Sequence, residues 1–148
     1  MISQPTQSLT IGIDSCLPNT VLVAMAVRGL CEMTELSPVE VNRIELCLVE
    51  IVNNAIEHAY ENKPGQKVET QVELTRQSVS ITVSDWGHSI PEEKLDISSL
   101  VREDIQNPDS LQSSGRGIYI VKNLMDDVQY YSRDGKNSFV MTMEARGA

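Results

Sequence analysis

The apolar positions along the chain follow two periods. Residues 8–13 (SLTIGI) alternate weakly and end at Asp14, which predicts a first strand at a sheet edge. Pro18-Asn19-Thr20 opens an apolar helical run to about Met33. A second helix starts at Ser37-Pro38-Val39-Glu40, a capping box with Pro at the first helical position. There the Ser oxygen and the Glu carboxylate satisfy backbone N–H groups that have no partner within the helix. This helix is predicted to reach about Tyr60, ahead of the breaker Asn62-Lys63-Pro64-Gly65. At about 100° per residue, Val41, Ile44, Leu48, Ile51, Val52, Ala55, Ile56 and Ala59 share one arc. Arg43, Glu50, Asn54, Glu57 and Glu61 share the opposite one.

Two strand patterns follow, at 68–74 and 79–83, joined through Thr75-Arg76-Gln77-Ser78. Their alternation predicts an antiparallel pair with one buried face. Regular pattern stops at Ser84-Asp85-Trp86-Gly87-His88-Ser89-Ile90-Pro91. Residues 92–114 are mostly polar, with only a short helical possibility near 97–103. A stretch this long inside a compact domain is usually functional or mobile. Order returns at Gly115-Arg116-Gly117, two glycines leading into an apolar helix with Ile118, Ile120, Val121, Leu124 and Met125. The end reads as a hairpin, 128–132 and 138–143, turning at Asp134-Gly135. The order β-α-α-β-β-loop-α-β-β predicts an α+β fold, a two-layer sandwich with helices covering one face of a mostly antiparallel sheet.

Length and charge narrow the functions. The 148 residues are expected to form one domain, 1–148, large enough to need no disulfide or metal staple. With 12 Lys+Arg against 21 Asp+Glu the net charge is −9, which argues against nucleic acid as a partner. Any bound anion must then be held by local groups. Cys16, Cys31 and Cys47 form no CxxC or Cys/His cluster, so free thiols in a reducing compartment are expected. The N-terminus lacks the pattern of a signal peptide, and the apolar run 21–27 is far short of the ~20 residues of a membrane span. A soluble, cytoplasmic protein with no membrane partner is expected.

Three segments carry candidate chemistry. Glu50 and Asn54 stand four residues apart, stacked on one helical face. A carboxylate there can take a proton from an attacking hydroxyl, and an Asn carbonyl is a hard oxygen suited to Mg²⁺. The same pair equally describes a solvated helix surface. Asp85, at the end of a strand, can accept a hydrogen bond from an exocyclic amine such as that of adenine, while Gly87 lets the backbone approach a flat ring. An ordinary Asp/Gly turn is the competing reading. Ser113-Ser114-Gly115-Arg116-Gly117-Ile118-Tyr119 exposes backbone N–H groups at the positive end of a helix dipole, a phosphate cradle. It is neither a Walker A loop nor a Rossmann fingerprint. A flexible linker ending in a helix cap would read the same way.

Taken together, Glu50-x-x-x-Asn54, Asp85-x-Gly87 and Gly115-x-Gly117 resemble the N, G1 and G2 boxes of the GHKL ATP-binding superfamily. The stretches Asn54-Ala55-Ile56-Glu57-His58-Ala59-Tyr60 and 115–126 (GRGIYIVKNLMD) are similar to the bacterial anti-sigma factor serine/threonine kinases that work by partner switching. The likeness spans nearly the whole chain, in order. It implies a Bergerat-type fold, ATP and Mg²⁺ as cofactors, and residues 92–114 as the ATP lid. It also implies roles: Glu50 as the catalytic base, Asn54 on Mg²⁺, Asp85 and Gly87 at the adenine, Gly115 and Gly117 at the phosphates. Arg116 or Lys122 would add positive charge at the phosphates.

The implied activity is transfer of the γ-phosphoryl group of ATP to a Ser or Thr of an anti-anti-sigma antagonist of the STAS type, with a sigma factor or similar target held in turn. A homodimer is implied by the likeness alone. The second glycine common in the G1 box is absent, Ser89 or Ile90 taking its place, and this favours the alternative of a nucleotide-dependent binding module without catalysis. Trp86 is expected to pack in the core and His58 to be structural. A sensor histidine kinase core would need a phosphoacceptor helix pair for which 148 residues leave no room. A metal hydrolase is disfavoured because His58 and His88 are not in HExxH spacing.

Overall fold

A computed structural model describes residues 6–91, 95 and 113–146. Strand β1 (Gln7–Asp14) leads through a 3₁₀ turn (Leu17–Asn19) into α1 (Thr20–Cys31) and α2 (Pro38–Asn54). A π-helical turn, Ala55–Ala59, extends α2. Strands β2 (Lys67–Leu74) and β3 (Ser78–Asp85) precede helix α3 (Ser113–Leu124), and β4 (Asp127–Arg133) and β5 (Lys136–Glu144) follow it. The five strands lie in the order β1-β2-β3-β5-β4, every neighbouring pair antiparallel. The predicted α+β architecture and element order are the ones observed, with β1 at an edge.

Local chemistry explains most of these elements. Ser37 Oγ accepts from the Glu40 amide at 3.2 Å and Glu40 Oε1 accepts from the Ser37 amide at 2.8 Å, so both halves of the capping box form. Asp134 and Gly135 take φ of 53° and 80°, the left-handed pair that a two-residue hairpin turn requires. On β2 and β3 alternate residues are buried: Val68, Val72, Val79, Ile81 and Val83 face the helices. Against them pack Ile44, Leu48, Ile51 and Val52 of α2, Val23 and Val27 of α1, and Ile118 and Val121 of α3. Burying a side chain of this size contributes about 1.5–3 kcal/mol, so this layer is the main stabilising term.

Two expectations shift. Gly115 and Gly117 lie inside α3, not ahead of it, and the helix already includes Ser113 and Ser114. Trp86 is not core: it is 43% exposed, its ring flanked by Lys67 Nζ at 5.9 Å and Lys136 Nζ at 5.4 Å. The cations favour the ring face while the indole stays in water. The rest of the expected lid, including the helical possibility near 97–103, falls outside the described residues apart from Leu95.

Candidate functional site

The site forms where the end of β3 meets the end of α2. One extra residue per turn in the π segment brings the Tyr60 amide to the Ala55 carbonyl at 3.0 Å and leaves Ala59 O to accept the His88 amide at 2.8 Å. Gly87 is forced here: a β-carbon would lie 2.2 Å from Ala59 O, a backbone atom that cannot yield. Tyr60 locks the same corner, its hydroxyl accepting from the Trp86 amide at 2.7 Å and donating to Lys67 O at 2.6 Å. Burial pushes the Tyr60 hydroxyl above its usual range, although the bond from Trp86 pulls the other way. The phenol therefore stays protonated and able to donate.

Asp85 is 9% exposed. Its Oδ1 accepts from Asn137 Nδ2 at 2.8 Å and from the Gly87 amide at 3.0 Å. Burial pushes its carboxyl above the usual range, and these two bonds only partly offset that. No described residue donates to Oδ2. Asp85 lines a narrow cleft together with Asn54, Ala55, Val83, Tyr130 and Phe139, and the cleft's free space of about 10 Å³ is room for about one water. Tyr130 and Phe139 stack at 4.7 Å with a 52° tilt on one wall, and the Tyr130 hydroxyl accepts from the Ile90 amide at 2.9 Å.

Asn54 was expected on a solvated stripe, yet it is 8% exposed and no described residue bonds its side-chain amide. It lines the cleft, where water or a ligand can pair with it. Glu50 stands one turn earlier on α2, half-buried, and faces α3: a β-carbon on Gly117 would come within 2.9 Å of Glu50 Oε2. Gly115 and Arg116 fall on the first turn of α3. Lys122 and His58 are exposed. The structure thus brings Asn54 and Asp85 to one cleft, seats Gly87 at its edge, and pairs Glu50 with Gly117 beside it. Sequence reasoning missed Tyr60 and Asn137, whose roles depend on long-range partners that no local pattern signals.

Magnesium fits this donor set in one way. Asn54 offers a single hard oxygen, and no group of three or more His, Cys, Asp or Glu that could hold a metal occurs among the described residues. Mg²⁺ keeps waters and substrate phosphates as most of its ligands, so one protein oxygen is a sufficient anchor for an ion arriving with a triphosphate.

A five-stranded antiparallel sheet under helices, with a buried Asp at a strand end facing an amide on the long helix, defines an ATPase-type nucleotide fold. The model of the histidine kinase-like ATPase domain matches residues 17–143, and the chain belongs to that family. The GHKL resemblance is thereby borne out. Among curated relatives, an anti-sigma F factor of Oceanobacillus iheyensis is 29% identical over 134 residues, covering 89% of this chain and 88% of its own. A serine-protein kinase RsbW of Staphylococcus aureus is 25% identical over 115 residues, covering 77% and 72%. The solved RsbU and RsbW domains of a Mycobacterium tuberculosis protein superpose with a TM-score of 0.66 at 17% identity, over 97% of this chain and 35% of that longer one. The SiaB–SiaC complex of Pseudomonas aeruginosa gives a TM-score of 0.57 at 11% identity, covering 90% and 88%. These structural likenesses speak to the fold. Among the described residues no helix is long and apolar enough to cross a membrane.

Proposed function

We propose that this chain binds ATP with Mg²⁺ in the Asp85 cleft and transfers the γ-phosphoryl group to a serine or threonine of a small STAS-type anti-anti-sigma antagonist. One observation carries the reading: a buried carboxylate with an uncommitted oxygen and a nearly buried amide without a described partner line the same cleft. The names of the anti-sigma F and RsbW relatives support it.

In this account Asp85 Oδ2 accepts a hydrogen bond from the 6-amino group of adenine, and Gly87 lets backbone lie against the ring. Asn54 would hold Mg²⁺, which would supply positive charge at the phosphates. Amides of the first turn of α3, at Gly115 and Arg116, favour negative charge through the helix dipole. Glu50 takes the proton of the acceptor hydroxyl. The hydroxyl oxygen bonds to the γ-phosphorus as the bond to the bridging oxygen breaks, and ADP leaves with that electron pair. Phosphorylated antagonist dissociates, and the chain then holds a sigma factor or similar target on an overlapping surface. Such a switch needs a difference in affinity between the two antagonist states. A reaction on transcription regulators is cytoplasmic.

A non-catalytic, nucleotide-dependent binding module is the second reading. It is favoured by the missing second glycine of the box, in whose region stand Ser89 and Ile90; Ile90 lines the cleft and its amide donates to the Tyr130 hydroxyl. Incubation with γ-labelled ATP, Mg²⁺ and candidate antagonists separates the two. The kinase reading expects label on the antagonist, lost in Glu50→Ala with ATP binding retained. ATP binding without transfer to any cognate antagonist establishes the module instead.

A further inference from the structure

Asn137 faces Asp85 across the β3–β5 ladder and is 2% exposed. Its Nδ2 donates to Asp85 Oδ1 at 2.8 Å and to Gly87 O at 3.0 Å. Its Oδ1 accepts from Ser132 Oγ at 2.7 Å. The two acceptors fix which end of the amide faces them, because a flipped amide would set oxygen against a carboxylate and a carbonyl. The Ser132 hydroxyl must then be the donor. Hydrogen bonding therefore runs one way, from Ser132 through Asn137 to the Asp85–Gly87 turn.

The consequence concerns the ligand. With Oδ1 occupied by Asn137 and by the Gly87 amide, Oδ2 is the acceptor left to meet whatever enters the cleft. Gly87 is held at both ends, its N–H on Asp85 and its carbonyl on Asn137, so the turn cannot rotate to offer a donor instead. A 6-amino purine meets such a surface with a donor. A 6-oxo purine would meet it acceptor to acceptor, which leaves a buried polar group unpaired.

Resting on the reading of the cleft as a nucleotide site, we propose that Asn137, oriented by Ser132, is a positioning residue that makes the site select 6-amino over 6-oxo purines. The test measures dissociation constants of ATP and inosine triphosphate, with Mg²⁺, for the wild type, Asn137→Leu and Ser132→Ala. The ratio of the two constants is the readout, since loss of folded protein lowers both affinities together and leaves the ratio unmoved. The wild type is expected to favour ATP by about tenfold or more, the size of one well-formed discriminating hydrogen bond. Asn137→Leu is expected to cut that ratio by about tenfold, and Ser132→Ala, at an exposed position, by about threefold. Should Asn137→Leu fail to fold, the Ser132→Ala ratio decides. Unchanged ratios with ATP binding intact overturn the role of Asn137 and leave the nucleotide site standing, as does a wild type that binds both nucleotides equally. A wild type that binds neither overturns the nucleotide reading and this inference with it.

Discussion

Gly117 and Glu50 meet so closely that a β-carbon on the glycine would lie 2.9 Å from Glu50 Oε2 and 3.5 Å from Glu50 Cβ. The glycine sits inside α3, where alanine would be the better helix former by about 1 kcal/mol. Its presence there is explained by the carboxylate, which would have to swing aside for any larger residue. Gly117→Ala is therefore expected to leave the melting temperature equal or higher. With Glu50 as the base proposed above, transfer to the antagonist is expected to fall by about tenfold or more, because small displacements of such a group are costly. ATP affinity should hardly change. Melting curves, label transfer and calorimetry on the one variant check all three.

At Gly87 the neighbour is backbone, and the outcome reverses. A β-carbon 2.2 Å from Ala59 O forces the turn away from the π segment and breaks the His88–Ala59 hydrogen bond. Gly87→Ala is expected to lose about 1–3 kcal/mol of stability, the usual cost of overpacking, seen as a lower urea midpoint at unchanged slope.

How much of this was legible beforehand depends on how local the cause is. The capping box Ser37–Glu40 and the Asp134-Gly135 turn are short-range chemistry, and both formed where the sequence put them. Glu40 has a second task that the box does not announce: Oε2 accepts the Arg146 amide at 3.0 Å, from 106 positions away. The π turn at 55–59 was invisible because one inserted residue barely alters an apolar period. Asn54 is buried although its arc reads as solvated, because it lines a narrow cleft with Val83, Asp85 and Tyr130 from distant strands. Gly115 and Gly117 looked like a helix entrance because glycine is a poor helix former, yet Gly117 answers to Glu50. Trp86 misled for the opposite reason: two lysines make its exposed position favourable. Asn137 looked like one more polar residue in a hairpin, since its partner Asp85 lies 52 positions back.

Asp85 is held at a cost that can be exposed. Burial raises its carboxyl pKa in the folded state, so the native protein binds a proton at higher pH than the unfolded chain does. Its contribution to stability is then fully present below the ordinary aspartate range and is lost as pH rises through the raised value. Asp85→Asn, which keeps an oxygen for Asn137 and Gly87, is expected to remove that loss. The variant should match or exceed wild-type stability at pH 7, and the gap should close on acidification. Urea titrations at a series of pH values measure this directly.

The thiols give a check on the core. Burial pushes the Cys31 thiol up to about 11 and the Cys47 thiol up to about 12, so neither offers thiolate at neutral pH. Both are buried, whereas Cys16 is partly accessible. Labelling with a thiol reagent at pH 8 is expected to modify Cys16 alone, slowly, because its hydrogen bond to Asp14 also raises it. Denaturant should bring in Cys31 and Cys47. Fast modification of either one in the native protein would contradict the packing of α1 against α2.

The most direct measurement is calorimetric titration of the wild type and of Asp85→Asn with ATP and Mg²⁺. The account predicts saturable heat with one site per chain for the wild type, and an affinity lowered by about tenfold or more for the variant, whose side chain would offer the adenine amine a donor. A wild type that takes up no nucleotide, or a variant that binds as tightly as the wild type, would contradict it.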